Sequence, residues 1–446
     1  MFLLQDLTVG KEYKVLFYFT LPILIGNLFQ QFYNVADSII VGQFLGKENL
    51  AAVGFCFQIN AILVAISMGL SLGMSILISR YTGEKELEKI RAVIDTGFYF
   101  SVVCSVILCF LGIFFTDFLI HIFQVPEDTI DYTAIYLKIL FLGTIPTFLY
   151  SAITNFLRGL GDSKTPVYCL IAAAILNIVL DLFFVGYQKY GIGGAAAATV
   201  LSQWFSCITS FIILSKKYPL YCIHIKKPQL EITALKKSLF IGVPSMAQQV
   251  FKSIGFLTLQ AMVNGFGSTC MAAYSVTSKI DSFAQLPALH LGQALSNFTA
   301  QNRGAKKEER VKRGFFAALL MGWMITITIS FLVVLFGQFF IGFFIKEHSV
   351  MDIGIGYLRI VGLFYCIDAT MQVLNGILLG YEKPFVPMIS TIVSLCLMQV
   401  PAAYILSHTS LGYTGIWLVT PFGWMGGVLI RLYYYLKLPK KEKTSV

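Results

Sequence analysis

The chain has 446 residues, of which 57% are hydrophobic and 13% charged, with a formal net charge of +10 and a mean hydropathy of +0.76. A soluble domain carries roughly twice that charged fraction, so the composition excludes an ordinary soluble protein and indicates an integral membrane one. The nine cysteines are scattered, with no CxxC pair and no cluster with His, which predicts neither a disulfide framework nor a metal centre.

Long apolar runs alternate with short polar loops, and the weak ten-residue alternation of a membrane barrel is missing. Lipid offers the backbone no hydrogen bonds, so each run must satisfy its own groups as a helix. The sequence predicts an all-α membrane protein with twelve spans: 15–42, 49–78, 92–116, 132–157, 165–186, 192–214, 238–263, 270–300, 314–341, 353–379, 385–407 and 412–435. No cleavable signal peptide is expected at the N-terminus.

The charge follows these loops. Of 33 Lys and Arg, 26 lie at the N-terminus, after even-numbered spans, or at the C-terminal end when Arg431 is counted there. Lys47, Lys189 and Lys346 lie on the other side, and Lys138, Lys252, Lys279 and Arg359 lie within spans. By the positive-inside rule both termini are expected in the cytoplasm, in a bacterial cytoplasmic (inner) membrane. The basic clusters Lys216–Lys237 and Arg303–Arg313 then read as topology signals and contacts to anionic membrane lipids, with no nucleic acid bound.

The chain divides into an N-terminal six-helix lobe (1–214), a cytoplasmic connecting loop (215–237) and a C-terminal six-helix lobe (238–446). The lobes echo each other: Pro22 and Pro244 open the first span of each half, 222 residues apart. Gly83 and Gly304 are 221 apart, Gly161 and Gly380 are 219 apart, and Gly191 and Gly412 are 221 apart. Six spans is an even number, so both copies enter from the same side. Parallel repeats of this kind are built into some secondary transporters, with a substrate path between the halves.

Polar groups inside the spans are few, and an acid at mid-membrane costs ~2.5–3.5 kcal/mol on insertion scales. Asn177 and Asp181 are spaced i, i+4 on one helix face, and Tyr33 and Asp37 repeat that spacing in the first span. Asp37 and Asp181 each lie five residues short of their span ends, and Thr199 seven residues in, so all three share one depth. Such a set can form an all-oxygen pocket for Na⁺, at Asp37, Asn177, Asp181 and Thr199. It can equally form a carboxylate pair that shares a proton. In the second half, Lys252, Lys279, Asp281 and Asp368 lie near mid-span, where internal charge pairing is the default. Gln248 and Gln249 precede Lys252 and are candidates for the same cavity.

Several strings identify a resemblance covering nearly the whole chain. They are Phe32-Tyr33-Asn34-Val35-Ala36-Asp37, Asn177-x-x-x-Asp181, Gly292-Gln293-Ala294 and Gln301-Asn302-x-Gly304-Ala305. The most specific is Ser278-Lys279-Ile280-Asp281-Ser282-Phe283-Ala284-x-Leu286-Pro287. With these the sequence resembles the multidrug and toxic compound extrusion (MATE) family. The resemblance implies two pseudo-symmetric six-helix lobes in a V shape and antiport of Na⁺ or H⁺ against organic cations. It also implies a coupling-ion site at Tyr33, Asp37, Asn177, Asp181 and Thr199. Asp368 resembles an acidic position that matters in another branch, but Lys252 stands where that branch has a Glu, and a cation there repels Na⁺.

The sequence reading is therefore a secondary active multidrug exporter, monomeric, with no cofactor beyond the coupling ion and small organic cations as substrates. A lipid-linked oligosaccharide flippase of related fold is the alternative; the acidic first lobe argues against it. An enzyme is not expected, since there is no Ser/His/Asp set, HExxH or Gly-rich phosphate loop.

Overall fold

The computed structural model describes residues 6–123, 125–224 and 227–438, apart from the side chain of Lys47. Lys226 and the C-terminal Lys440, Lys441 and Lys443, part of the predicted basic clusters, lie outside the described residues. The described chain is helical throughout. Its helices are α1 (Glu12–Leu45), α2 (Lys47–Glu84), α3 (Leu87–Phe114), α4 (Thr116–Ile122), α5 (Ile130–Leu142), α6 (Thr144–Gly159), α7 (Lys164–Asp181) and α8 (Gly191–Lys217). The second series is α9 (Ile232–Asn264), α10 (Ser268–Gly304), α11 (Glu308–Gly342), α12 (His348–Val361), α13 (Tyr365–Gly380), α14 (Phe385–Ile392), α15 (Val400–Ser407) and α16 (Tyr413–Leu436).

These pieces assemble into the twelve expected spans. Nine helical stretches among the described residues are long and apolar enough to cross a membrane, and α5 with α6 forms a tenth, bent by 41°. The bend falls at Gly143, and the matching span of the second half is interrupted by a 3₁₀ turn at Gly362–Phe364. The fifth span of each half carries a π-helical stretch, Leu182–Tyr187 after α7 and Val393–Gln399 between α14 and α15. Such bulges are rare and concentrate at functional positions.

The helices begin earlier than expected. α1 and α9 start at Glu12 and Ile232, ahead of the expected 15 and 238, because residues such as Lys14, Lys236 and Lys237 continue the helix before the apolar run, and Pro22 and Pro244 lie inside them. Two compact units emerge, Leu21–Met246 and Leu7–Thr20 with Ala247–Val446. Each therefore takes part of α1 and part of α9.

Small residues set the packing within each unit. Ser67, Ser71, Ser75 and Ser79 form a buried i, i+4 stripe on α2 facing α6. Ser67 Oγ lies 3.0 Å from Ser151 Oγ, and Ser79 donates to the Gly159 carbonyl at 3.1 Å. A Cβ on Gly159 would meet the Ser75 carbonyl at 2.8 Å; a Cβ on Gly380 would meet the Ser296 carbonyl at the same 2.8 Å. The sequence counterpart of Gly380 is thus Gly159, at an offset of 221, and not Gly161. Gly161 corresponds instead to Glu382, since both adopt positive φ. The 219-residue spacing read from sequence is corrected by this register, because close helix approach rather than helix termination fixes the glycine. Membrane helices lack a hydrophobic force between them, and small residues let dispersion and backbone contacts replace it.

The chain ahead of α9 is docked on the first unit. Asp95 of α3 accepts backbone N–H bonds from His224 (2.9 Å) and Gln229 (3.0 Å), and its carboxylate lies 3.1 Å from His224 Nδ1. Asp162, between α6 and α7, accepts from Lys217 Nζ at 2.7 Å, the Tyr218 hydroxyl at 2.6 Å and the Thr165 hydroxyl at 2.6 Å. Burial alone pushes the Asp162 carboxyl up, but these donors outweigh it and hold the group below its ordinary value. The segment ahead of α1 is docked on the second unit in the same manner. Leu7 N–H donates to Gln301 Oε1 at 3.0 Å, and Arg310 donates to the Gly10 carbonyl at 2.6 Å.

A depressed carboxyl stabilises the fold above its unfolded value and loses that effect as pH falls through the folded one. Docking of residues 217–224 should therefore be complete at neutral pH and fade below about 4. Asp162→Asn should raise amide exchange in that segment at pH 7, which exchange mass spectrometry reads directly. Unchanged protection in the variant would remove Asp162 as the anchor.

Candidate ion-coupling site

Five predicted residues meet in the first unit. α1 supplies Tyr33 and Asp37, α7 supplies Asn177 and Asp181, and α8 supplies Thr199. Asp181 is the last α-helical residue before the π stretch, so the local unwinding begins at the carboxylate. Asp37 is 9% exposed, Asn177 1%, Asp181 0% and Thr199 8%. The Asp37 and Asp181 carboxyl groups lie within electrostatic reach of each other, and Tyr33 and Tyr136 within reach of both. Asn177 Nδ2 donates to Thr199 Oγ1 at 3.5 Å.

The acceptors are less well served. Asp37 Oδ1, both Asp181 carboxylate oxygens and Asn177 Oδ1 are buried without a hydrogen-bond partner among the described residues. A buried acceptor left unpaired costs about 1–3 kcal/mol, and more when charged. Four such oxygens in one place call for a cation or a proton. The donor set fits Na⁺, which takes carboxylate, amide and hydroxyl oxygen; it fits a shared proton equally.

Tyr136, from α5, went unnoticed in the sequence. It is 4% exposed and stands against the same pair. Its only sequence signal is its place among apolar neighbours in a span, which a packing tyrosine shares.

The two acids of the second half take different hydrogen-bond partners. Asp281 on α10 accepts hydroxyl hydrogen bonds on both oxygens, from Tyr357 of α12 and Tyr365 of α13. Tyr357 packs edge-on to Trp417 at 4.9 Å, and Trp417 stacks on Tyr274 at 5.5 Å. Asp281 is thus bonded to two tyrosines rather than to Lys252. Asp368 on α13 is 1% exposed and takes Gln372 Nε2 on Oδ1 at 3.1 Å. Lys252 and Arg431 lie within electrostatic reach of it, and its Oδ2 has no hydrogen-bond partner among the described residues.

Arg431 corrects the charge count made from sequence. It is not a cation at the C-terminal flank but a 2%-exposed residue within α16. Its guanidinium donates to Thr391 Oγ1 at 3.0 Å, and Gln248 Nε2 donates to the same hydroxyl at 3.1 Å. The residue lies close to a basic tail in sequence, which hid it. Lys252 and Gln249 are exposed, and Lys279 sits over the Phe344 ring at 5.6 Å.

These contacts separate the two acids in a mutant cycle. Lys252→Gln and Asp368→Asn should couple by about 1 kcal/mol or more, whereas Lys252→Gln and Asp281→Asn should be additive within about 0.5 kcal/mol. Thermal unfolding of the purified variants in detergent measures both. Coupling of Lys252 to Asp281 instead would overturn the assignment.

The chain resembles known proteins over nearly its whole length. The MatE family profile matches residues 22–183 and again 244–405, two copies starting 222 residues apart. "Probable multidrug resistance protein YoeA" of Bacillus subtilis (strain 168) is 31% identical over 435 residues, 96% of this chain and 94% of that protein. "Probable multidrug resistance protein NorM" of Thermotoga maritima is 25% identical over 448 residues, covering 97% and 94%. A solved structure described as the outward-facing conformation of a multidrug resistance MATE family transporter of the MOP superfamily superimposes with a TM-score of 0.92. It shares 25% identity and 99% coverage of both chains. The matched repeat, the helical spans within it and the whole-chain likeness place this protein in the multidrug and toxic compound extrusion family.

Proposed function

We propose that this transporter is a multidrug exporter that couples the inward movement of Na⁺ or H⁺ to the expulsion of organic cations. The four buried, unpaired oxygens of Asp37, Asn177 and Asp181 carry this reading, since they lack the positive charge that would complete them. Two adjacent carboxylates in low dielectric repel each other unless a cation or proton lies between them. The coupling ion, arriving from outside, neutralises the pair and lets α1, α7 and α8 draw together. The π stretch after Asp181 has spare backbone freedom for that closure. The closure reshapes the first unit and releases the cationic substrate outward, so ion and substrate compete for one set of charges.

Asp37→Asn and Asp181→Asn should each reduce gradient-driven efflux from inverted vesicles to background while the protein still inserts. Asn177→Ala or Thr199→Ala should weaken apparent ion affinity roughly fivefold, the effect of losing one neutral contact of about 1 kcal/mol. Imposing a Na⁺ and a pH gradient separately identifies the ion. Normal coupled efflux in a folded Asp37→Asn, Asp181→Asn double variant would end this mechanism.

The orientation has its own test. We propose that both chain termini face the cytoplasm of a bacterial inner membrane, in keeping with the basic loops. Single cysteines placed at Lys306 or Lys236 should resist impermeant thiol reagents in intact cells, and one at Glu127 or Lys346 should be labelled. The reverse pattern would invert the topology.

A further inference from the structure

The first unit holds a cleft of about 480 Å³ between α2, α3, α4 and α5, distinct from the carboxylate site. Every lining residue is apolar, among them Ile62, Leu63, Leu111, Gly112, Phe118 and Phe141. A surface this apolar does not hold water, which needs two to four polar partners. Beside a membrane the cleft fills with hydrocarbon. At about 30 Å³ per water-sized group, 480 Å³ has room for roughly sixteen methylene-sized groups, the length of one acyl chain. Ile62, Leu111, Phe115 and Phe118 are 45%, 47%, 44% and 57% exposed, so the cleft mouth is apolar too.

A charge pair joins α4 and α5, two of the walls. Lys138 stands one helical turn before Phe141 on the same face of α5, and Asp117 directly precedes Phe118. Lys138 Nζ lies 4.0 Å from Asp117 Oδ1, with the two side chains 49% and 84% exposed. An ammonium and a carboxylate side by side match a headgroup that has a phosphate next to a primary amine. The lysine donates to the phosphate, and the aspartate accepts from the amine. A quaternary ammonium headgroup has no N–H to donate, and a glycerol headgroup has no positive charge.

We propose that this cleft is a site for one acyl chain of a phosphatidylethanolamine molecule, whose headgroup is read by the Lys138–Asp117 pair. The inference rests on the chain's place in a membrane but not on the coupling mechanism, so lipid retention is measured without transport.

The test uses the full chain purified from membranes and exchanged into nanodiscs containing phosphatidylethanolamine, phosphatidylglycerol or phosphatidylcholine. Native mass spectrometry should detect one retained phosphatidylethanolamine, preferred by about threefold over the other two lipids, the scale of an exposed charge pair. Leu111→Trp fills the mouth of the cleft and should abolish retention of all three. Lys138→Gln and Asp117→Asn leave the lining intact, so they should keep lipid bound while erasing the headgroup preference. Equal retention in Leu111→Trp, or an unchanged preference in both charge-pair variants, would overturn the site. Displacement of the lipid by tetraphenylphosphonium at concentrations that are transported would assign the cleft to substrate instead.

Discussion

Two carboxylates held together in a medium without water are the constraint around which the first unit is arranged. Asp37 and Asp181 come from helices far apart in sequence, and Asp37 Oδ1 and both Asp181 carboxylate oxygens have no hydrogen-bond partner among the described residues. Other buried acids here are treated differently. Asp281 has both oxygens covered by tyrosine hydroxyls, and Asp162 is ringed by an ammonium, hydroxyls and backbone amides. The same side chain is thus made structural where donors surround it and left demanding where they do not.

That site sits on a scaffold built on close helix approach. The serine stripe on α2 and the glycines of α6, α10 and α13 bring backbones within van der Waals reach. A Cβ on Gly376 would lie 2.1 Å from the Gly292 carbonyl, so that crossing tolerates no larger residue without a shift. Polar bonds close the ends: Asp95 and Asp162 hold the chain ahead of α9, and Gln301, Asn302 and Arg310 hold the chain ahead of α1. Carboxylates accept N–H and O–H groups in one tether, and in the other Gln301 Oε1 accepts a backbone N–H while Asn302 and Arg310 donate to backbone carbonyls. Docking has been reached twice by different residues.

The spans and the duplication were legible because hydropathy and the proline and glycine landmarks each follow one simple physical rule. Asn177 and Asp181 stood out because an amide and a carboxylate one turn apart have no place in lipid. Helix starts were less legible: nothing in an apolar run reports a helix that continues past it into water, as α1 and α9 do. The Gly161–Gly380 match failed because a turn glycine and a packing glycine look identical in sequence, and only the Ser75 and Ser296 contacts tell them apart. Arg431 and Tyr136 were hidden for a related reason. Burial among distant helices gives a residue its role, and local composition does not report it.

The duplication preserved packing while the chemistry diverged. Gly159 and Gly380 meet equivalent serines, and the positive-φ residues Lys85 and Lys306, Gly46 and Gly267, and Gly191 and Gly412 recur at one offset. At the 222-residue offset of Pro22 and Pro244 the second half has Leu259 for Asp37, and at 221 it has Ala402 for Asp181. Its acid, Asp368, lies on a different helix and is already attended by Gln372, Lys252 and Arg431. Removing one charge from such a set leaves the others uncompensated, which is costlier than removing a matched pair. Backbone approach distances bind every residue at a crossing at once and so change slowly. Single polar side chains answer only to their immediate neighbours, which is why one copy of the fold could keep a carboxylate pair that the other lacks.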